Sequence, residues 1–126
     1  MHILINAFCF SQNTFIPDDN FEQALIDLGF DSGPLDDFIP TSTVLGITYL
    51  DIHQKNISDL TGIEDFTALK NLQAENNKLT ALDLSANTAL DNLQADNNQL
   101  TALDLSTNTA LRNISLAGNN LDSINL

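Results

Sequence analysis

A chain of 126 residues, 43% of them apolar, is long enough for one domain with its own core, or for one piece of a larger protein. Its net charge is −13, and its four Lys and Arg residues are Lys55, Lys70, Lys78 and Arg112. That balance excludes the phosphate-neutralising surface nucleic acid requires and the polybasic patch that holds proteins on anionic membranes. Basic partners and divalent cations remain compatible with it.

The chain begins with a short apolar run, Ile3 to Phe10, followed by Ser11. Cys9 and Ser11 are small residues at −3 and −1 of a cut before Gln12, which resembles the end of a secretory signal peptide. No Lys or Arg precedes the run, so an upstream start and an ordinary buried N-terminal strand both stay open as readings. Asn6 and Phe8 do not fit the small-residue pattern of a lipoprotein anchor on Cys9, and as the one cysteine it cannot form an intramolecular disulfide. No other run is long enough to span a bilayer. We therefore assign 1–11 as a partial signal peptide and 12–43 as an N-terminal cap.

Within the cap, 13–17 reads as a linker or short strand. A helix follows over about 19–28. Asp19 is its expected N-cap, Glu22 closes a capping box, and Gly29 takes the left-handed C′ position. Phe21, Leu25 and Leu28 share one face with Ala24 beside them. So short a helix must dock to be stable, and the open end of the following solenoid is the apolar surface available. Residues 30–43, with Gly33, Pro34 and Pro40, read as a turn-rich connector.

From 44 to 126 the chain repeats one phrase, L-x-x-L-x-[LA]-x-x-N. Its second position falls at Leu72, Leu82, Leu93, Leu103, Ile114 and Ile124. Steps of 10 and 11 alternate, so the full period is 21. The first coil is atypical: it starts at Ile47, Leu50, Ile52 and Ile57, puts Lys55 in the Asn position, and is one residue longer, as first coils facing a cap often are. A period of this size marks a solenoid. Within each half, apolar positions two apart face inward as in a strand, and the residue between them faces out. Neither half leaves room for a two-turn helix. The expected fold is mainly β with a helical cap: a right-handed leucine-rich-repeat solenoid with short parallel strands on two faces. Asn77, Asn98 and Asn119 should form one ladder and Asn87 and Asn108 another, each amide bonding backbone groups that the turns leave unpaired.

The copies Leu79–Gln99 (LTALDLSANTALDNLQADNNQ) and Leu100–Asn120 (LTALDLSTNTALRNISLAGNN) resemble the nested 21-residue repeats of bacterial leucine-rich repeat proteins, the type called IRREKO. Residues 57–79 are similar to the 22-residue internalin repeat, and 16–40 resembles the cap of secreted flavobacterial leucine-rich proteins. The resemblance implies export or display on the surface of a Gram-negative bacterium, often with a C-terminal sorting domain, and a role in adhesion and protein–protein recognition. Related repeats often carry Cys where this chain has Ala74, Ala95 and Leu116, so no thiol ladder is available. The chain stops at Leu126 inside a strand. We expect a fragment, or an end covered by further repeats or another chain.

No P-loop, nucleotide-binding glycine motif, nucleophile elbow or Cys/His cluster is present, so no enzyme activity and no cofactor are expected. His53 reads as a surface histidine. Two acidic columns stand out: Asp83 with Asp104 on the second face, Asp51 in the related slot, and Glu75 with Asp96 beside the first. At a coil spacing of roughly 4.8 Å such neighbours should raise one another's pKa. Calcium at Asp83 and Asp104 is one reading and a glycosidase-like carboxylate pair another, set against acids that merely bond turn backbone. Asp31, Ser32, Asp36 and Asp37 are a second calcium candidate. The expected working surface is the outward side of the first sheet, in columns Asn71/Asn92/Asn113, Gln73/Gln94/Ser115 and Glu75/Asp96/Ala117, read as polar and free of aromatics. Its ligand would be a protein or a glycan; the alternative is a structural spacer within a longer surface protein.

Overall fold

The computed structural model describes residues 12–126; the expected signal segment, with His2 and Cys9, lies outside them. The cap starts with strand β1 (Asn13–Phe15) and helix α1 (Asp19–Asp27), then returns as β2 (Phe38–Pro40) and a single turn, α2 (Thr41–Val44). β1 and β2 pair antiparallel, with Thr14 opposite Ile39 and both pointing inward. The 30–43 segment is therefore more than a connector. Its strand is three residues long, too short for a period to show beside Gly33, Pro34 and Pro40.

Helix α1 is capped by Asp18, not Asp19. Asp18 Oδ1 accepts the amides of Asn20 and Phe21 at 2.9 and 3.0 Å. Its Oδ2 accepts Ser58 and Asp59 amides from the first coil at 2.9 and 3.0 Å. One carboxylate thus closes the helix and ties it to the solenoid. Glu22 forms no capping box. It is fully buried, and its two oxygens accept the amides of Asp36 and Asp37, clipping the returning chain to the helix. Burial pushes its carboxyl above the ordinary range, against the pull of those two amides. At the far end Gly29 (φ +85°) takes the left-handed position, and Phe30 N–H bonds Leu25 O in a Schellman turn. Phe21, Ala24 and Leu25 are buried, Phe21 against Phe66 of the first coil at 6.2 Å between ring centres, whereas Leu28 is left exposed.

The solenoid follows with β3 (Tyr49–Asp51), β4 (Asn71–Gln73), β5 (Asn92–Gln94), β6 (Ala102–Asp104), β7 (Asn113–Ser115) and β8 (Ser123–Asn125). The first sheet is parallel in the order β3-β4-β5-β7, with Leu50, Leu72, Leu93 and Ile114 in register. The step of 22 from Leu50 to Leu72 is real, and its extra residue sits at Thr61–Gly62, under the cap. Gly62 has φ +107°, and a Cβ there would run into Ile16 Cδ1 and stand 2.7 Å from the Phe15 carbonyl oxygen. Strand β1 crosses the coil at this point, with Thr14 Oγ1 donating to Asp65 at 2.8 Å. The bulge in the first coil is the seat of the cap.

The second sheet is smaller than the repeat suggests. Only β6 and β8 pair there, Leu103 opposite Ile124. Residues 80–83 carry the same T-A-L-D letters as 101–104 but form no strand. Grooves run between the coils on this side, one lined by Leu60, Thr61, Ile63, Ala81, Leu82 and Asp83. A second groove on this side is lined by Ala81, Leu82, Asp83, Ala102, Leu103 and Asp104, so the opening between coils extends past the first.

Both Asn ladders are present, and they work differently. Asn98 Nδ2 donates to Ala74 O of the previous coil and Ala95 O of its own, and its Oδ1 accepts Leu79 N–H at 3.0 Å. Asn77 and Asn119 repeat that arrangement. Asn87 and Asn108 use only the amide: Asn87 Nδ2 bridges Ile63 O and Phe66 O, Asn108 Nδ2 bridges Leu84 O and Asn87 O, and the Oδ1 of each is buried without a donor. The same letter in the two half-repeats therefore ties different backbone.

Candidate recognition face

The outward side of the first sheet is built by alternation. Leu72, Ala74, Leu93 and Ala95 are fully buried, so Asn71, Gln73, Glu75, Asn92, Gln94 and Asp96 must face out. Register adds a first row to each column: Tyr49 precedes Asn71, Asp51 precedes Gln73, and His53 precedes Glu75. The sheet is thus not free of aromatics, since Tyr49 is half exposed at its head. Asp51 belongs here and not with Asp83; the place before Asp83 is taken by Thr61 and Gly62. Carrying the register of 22 from Leu50 to Leu72 outward would have placed all three residues from sequence.

Cross-coil bonds hold the face. Asn92 Nδ2 donates to Asn71 Oδ1 at 3.1 Å. Ser115 Oγ donates to both oxygens of Asp96, at 2.7 and 2.8 Å, and Ala117 N–H adds a third bond at 2.8 Å. His53 Nδ1 meets Asp51 Oδ1, which raises the imidazole pKa above 6.5. Asp51 falls below its ordinary value, because its bonds to His53 outweigh the opposing effect of burial, the largest single influence. At the sheet margin Arg112 makes a two-pronged pair with Asp91, at 2.9 and 2.8 Å. Where the face turns away, Gln54, Asn76, Asn97 and Gly118 all adopt positive φ, and Asn97 Nδ2 donates to Asn76 Oδ1 at 3.0 Å. Asn113 and Ser115 complete their columns on β7, where Asn113 is exposed.

The acids of the second face behave otherwise than their spacing suggests. Asp83 Oδ1 accepts both the amide and the hydroxyl of Ser85, at 3.0 and 2.7 Å. Asp104 does the same with Ser106, at 2.9 and 2.6 Å. These serine bonds lower both carboxyls below 3.8, and the charge of Asp104 only slightly opposes that at Asp83. The pair neither raises its own pKa nor stands in a three-ligand cluster among the described residues. In D-L-S the aspartate is a turn-former. The acids that do converge are in the cap: Glu22, Asp31 and Asp36 bring oxygens within 4.8 Å of one another, as do Asp19, Glu22 and Asp37. Glu22 there already holds two backbone amides, and Asp31 Oδ1 accepts Ser32 N–H at 2.8 Å.

No protein-family model matches the chain. Over 77 residues it is 39% identical to internalin J of Listeria monocytogenes, a match covering 61% of this chain and 8% of that protein. The solved functional domain of the Listeria internalin J, described as including a cysteine ladder, superposes with a TM-score of 0.77 at 35% identity, over 86% of this chain and 25% of that one. Internalin InlF from the same species superposes at 0.75 over 89% of this chain and 37% of that one; at 23% identity it supports the fold alone. These relatives come from a Gram-positive bacterium, so the Gram-negative origin implied by the flavobacterial likeness gains no support from them.

Proposed function

We propose that this internalin-like leucine-rich repeat solenoid is a non-catalytic recognition module, exported or displayed at a cell surface, that binds a protein partner through the outward side of its first sheet. The observation that carries the reading is the face itself: two outward columns in unbroken register across four paired strands, with a third, His53, Glu75 and Asp96, just beyond the strand ends, several of their side chains fixed by cross-coil hydrogen bonds. A surface held in this way loses little side-chain entropy on binding. Tyr49 is its one aromatic, and anchors of that kind carry most binding energy, so affinity at this site should be modest. That same scarcity of anchors favours the second reading, a spacer within a longer surface protein.

Charge reversal separates the two. Beads coated with the protein are tested for adhesion to cell surfaces and to immobilised extracellular proteins. Glu75→Lys with Gln94→Lys, two positions whose side chains hold no cross-coil bond, should reduce adhesion while leaving the melting temperature within a few degrees. Adhesion that survives this change, or that disappears only with substitutions at Asp83 and Asp104, overturns the first-sheet reading.

A further inference from the structure

We propose that the outer edge of β3 is a docking site for an extended strand of a partner protein, which pairs parallel to it and adds a row at the head of the first sheet. The site adjoins the outward face described above and does not depend on it. β3 stands at the end of that sheet, with β4 on one side only. In each later coil, the edge turned toward the cap is filled from the coil before. Asn71 N–H bonds Thr48 O, Gln73 O accepts Ile52 N–H, and Glu75 O accepts Gln54 N–H; Asn92, Gln94 and Asp96 repeat this with Lys70, Ala74 and Asn76. Register makes Tyr49 N–H, Asp51 O and His53 O the counterparts on β3. None of the three has a hydrogen-bond partner among the described residues.

The cap leaves this edge open. Its own hydrogen bonds to the first coil reach Asn56, Ser58, Asp59 and Asp65, beyond the strand. Beside the strand there is a groove instead, lined in part by Phe30, Gly46, Ile47, Thr48 and Tyr49. Thr48, Tyr49 and His53 are exposed, and the segment 48–53 carries neither the Lys nor the Pro that commonly blunts an edge strand. A row of unpaired donors and acceptors at strand spacing is complementary to another extended backbone. Because these groups are the counterparts of those through which β4 receives β3, the incoming strand runs parallel. Its alternate side chains meet two different surfaces. Apolar residues suit the groove beside Phe30 and Ile47, and basic ones the side of Asp51, in a chain of net charge −13.

The test uses a blocked seven-residue peptide of alternating Val and Lys, and two twins N-methylated at the Val or at the Lys positions. Each is titrated into the full chain and followed by backbone amide resonances. The parent peptide should shift Thr48 to His53 first. Backbone amides of one parity point at β3 and those of the other into solvent, so one twin should bind about tenfold more weakly or worse while the other matches the parent. Tyr49→Pro, which deletes the unpaired N–H, should weaken the parent about as much. Tyr49→Ala keeps that N–H and should preserve the difference between the twins; an unchanged amide spectrum elsewhere shows that both variants fold. Twins that bind equally overturn the proposal. So do shifts that gather at Asn92 to Asp96, which would place the peptide on the outward face and leave that reading standing. Slow exchange of the Tyr49 amide in the free chain would mean that the edge is already filled, and protection that grows with protein concentration that a second copy fills it; either overturns the partner strand.

Discussion

At the scale of single residues, the repeated asparagine shows how one letter serves two tasks. Asn98 satisfies a donor and two acceptors across two coils, so Asn98→Ala should strand Leu79 N–H, whereas the carbonyls of Ala74 and Ala95 keep the amides of Asn77 and Asn119. Each buried group left unpaired costs about 1–3 kcal/mol. Asn87→Ala leaves Ile63 O and Phe66 O with their backbone donors, Phe66 N–H and Leu69 N–H, and removes an oxygen that had no donor. Urea unfolding should rank Asn98→Ala as clearly the more damaging; equal losses would show that the Oδ1 bond to Leu79 contributes nothing. The ladder positions themselves were plain in the sequence, because a period fixes which letters stack. Which backbone groups they tie was not, since that depends on how closely the coils approach on each side. His53 offers a titration test. Its imidazole pKa is raised by the Asp51 bond, so Asp51→Asn should lower the pKa followed by NMR. An unshifted His53 would mean that the pair does not form in solution.

At the scale of elements, the cap is where reading the sequence reached least far. Three acids within five residues, Asp18, Asp19 and Glu22, all suit the first turn of a helix. Only tertiary contacts decide that Asp18 caps while Glu22 is drawn inside to hold Asp36 and Asp37. Likewise Leu28 falls on the apolar stripe but lies beyond what the first coil covers. Asp18→Ala removes four amide bonds and should lower stability by roughly 2–4 kcal/mol, more than an ordinary N-cap, since bonds to a charged group contribute about 1.5–3 kcal/mol each at best and overlap in effect. A loss no larger than for a surface alanine would dismiss the cross-brace. Glu22 gives a pH dependence of unusual sign. Its folded pKa is raised, so the folded state holds that proton more tightly than the unfolded chain. The resulting penalty is absent below 4.5 and sets in as pH rises through the folded value. Glu22→Gln should therefore flatten stability against pH just above 4.5, as chemical denaturation would record. The lowered carboxyls of Asp51, Asp83 and Asp104 act oppositely: their contribution is present above 3.8 and fades as pH falls through their folded values.

For the whole molecule, the leucine ladder is the shared core. Leu50, Leu72 and Leu93 have no exposed surface, and Leu93→Ala should cost roughly 2–5 kcal/mol once the cavity is included. Each coil touches only its neighbours, so a loss there should spread as uncoupling of the coils on either side. Hydrogen exchange should show residues near β5 and β7 losing protection before the cap; uniform loss across the chain would instead mark one cooperative unit. The solenoid and its period were legible because the core repeats in sequence as it does in space. The outward side of the first sheet was legible as columns but lacked its first row, because the register across the longer first coil had to be carried outward from Leu50 to Leu72.

The unequal Asn ladders have a consequence for how such a chain can grow. Asn98 and Asn87 stand in half-repeats that look interchangeable as text, yet they bind different sets of backbone groups, and the bulge at Gly62 belongs to one side alone. Excising 79–99, one full period, would bring Leu100 onto Lys78 with every ladder partner replaced by its equivalent, and a shorter solenoid should still fold. Removing only 10 or 11 residues would hand each asparagine the other ladder's carbonyls and turn the polar columns onto the grooved side. Gain and loss of length in this chain is therefore quantised in pairs of half-repeats, and the outward side of the first sheet lengthens or shortens by one row each time without changing its pattern.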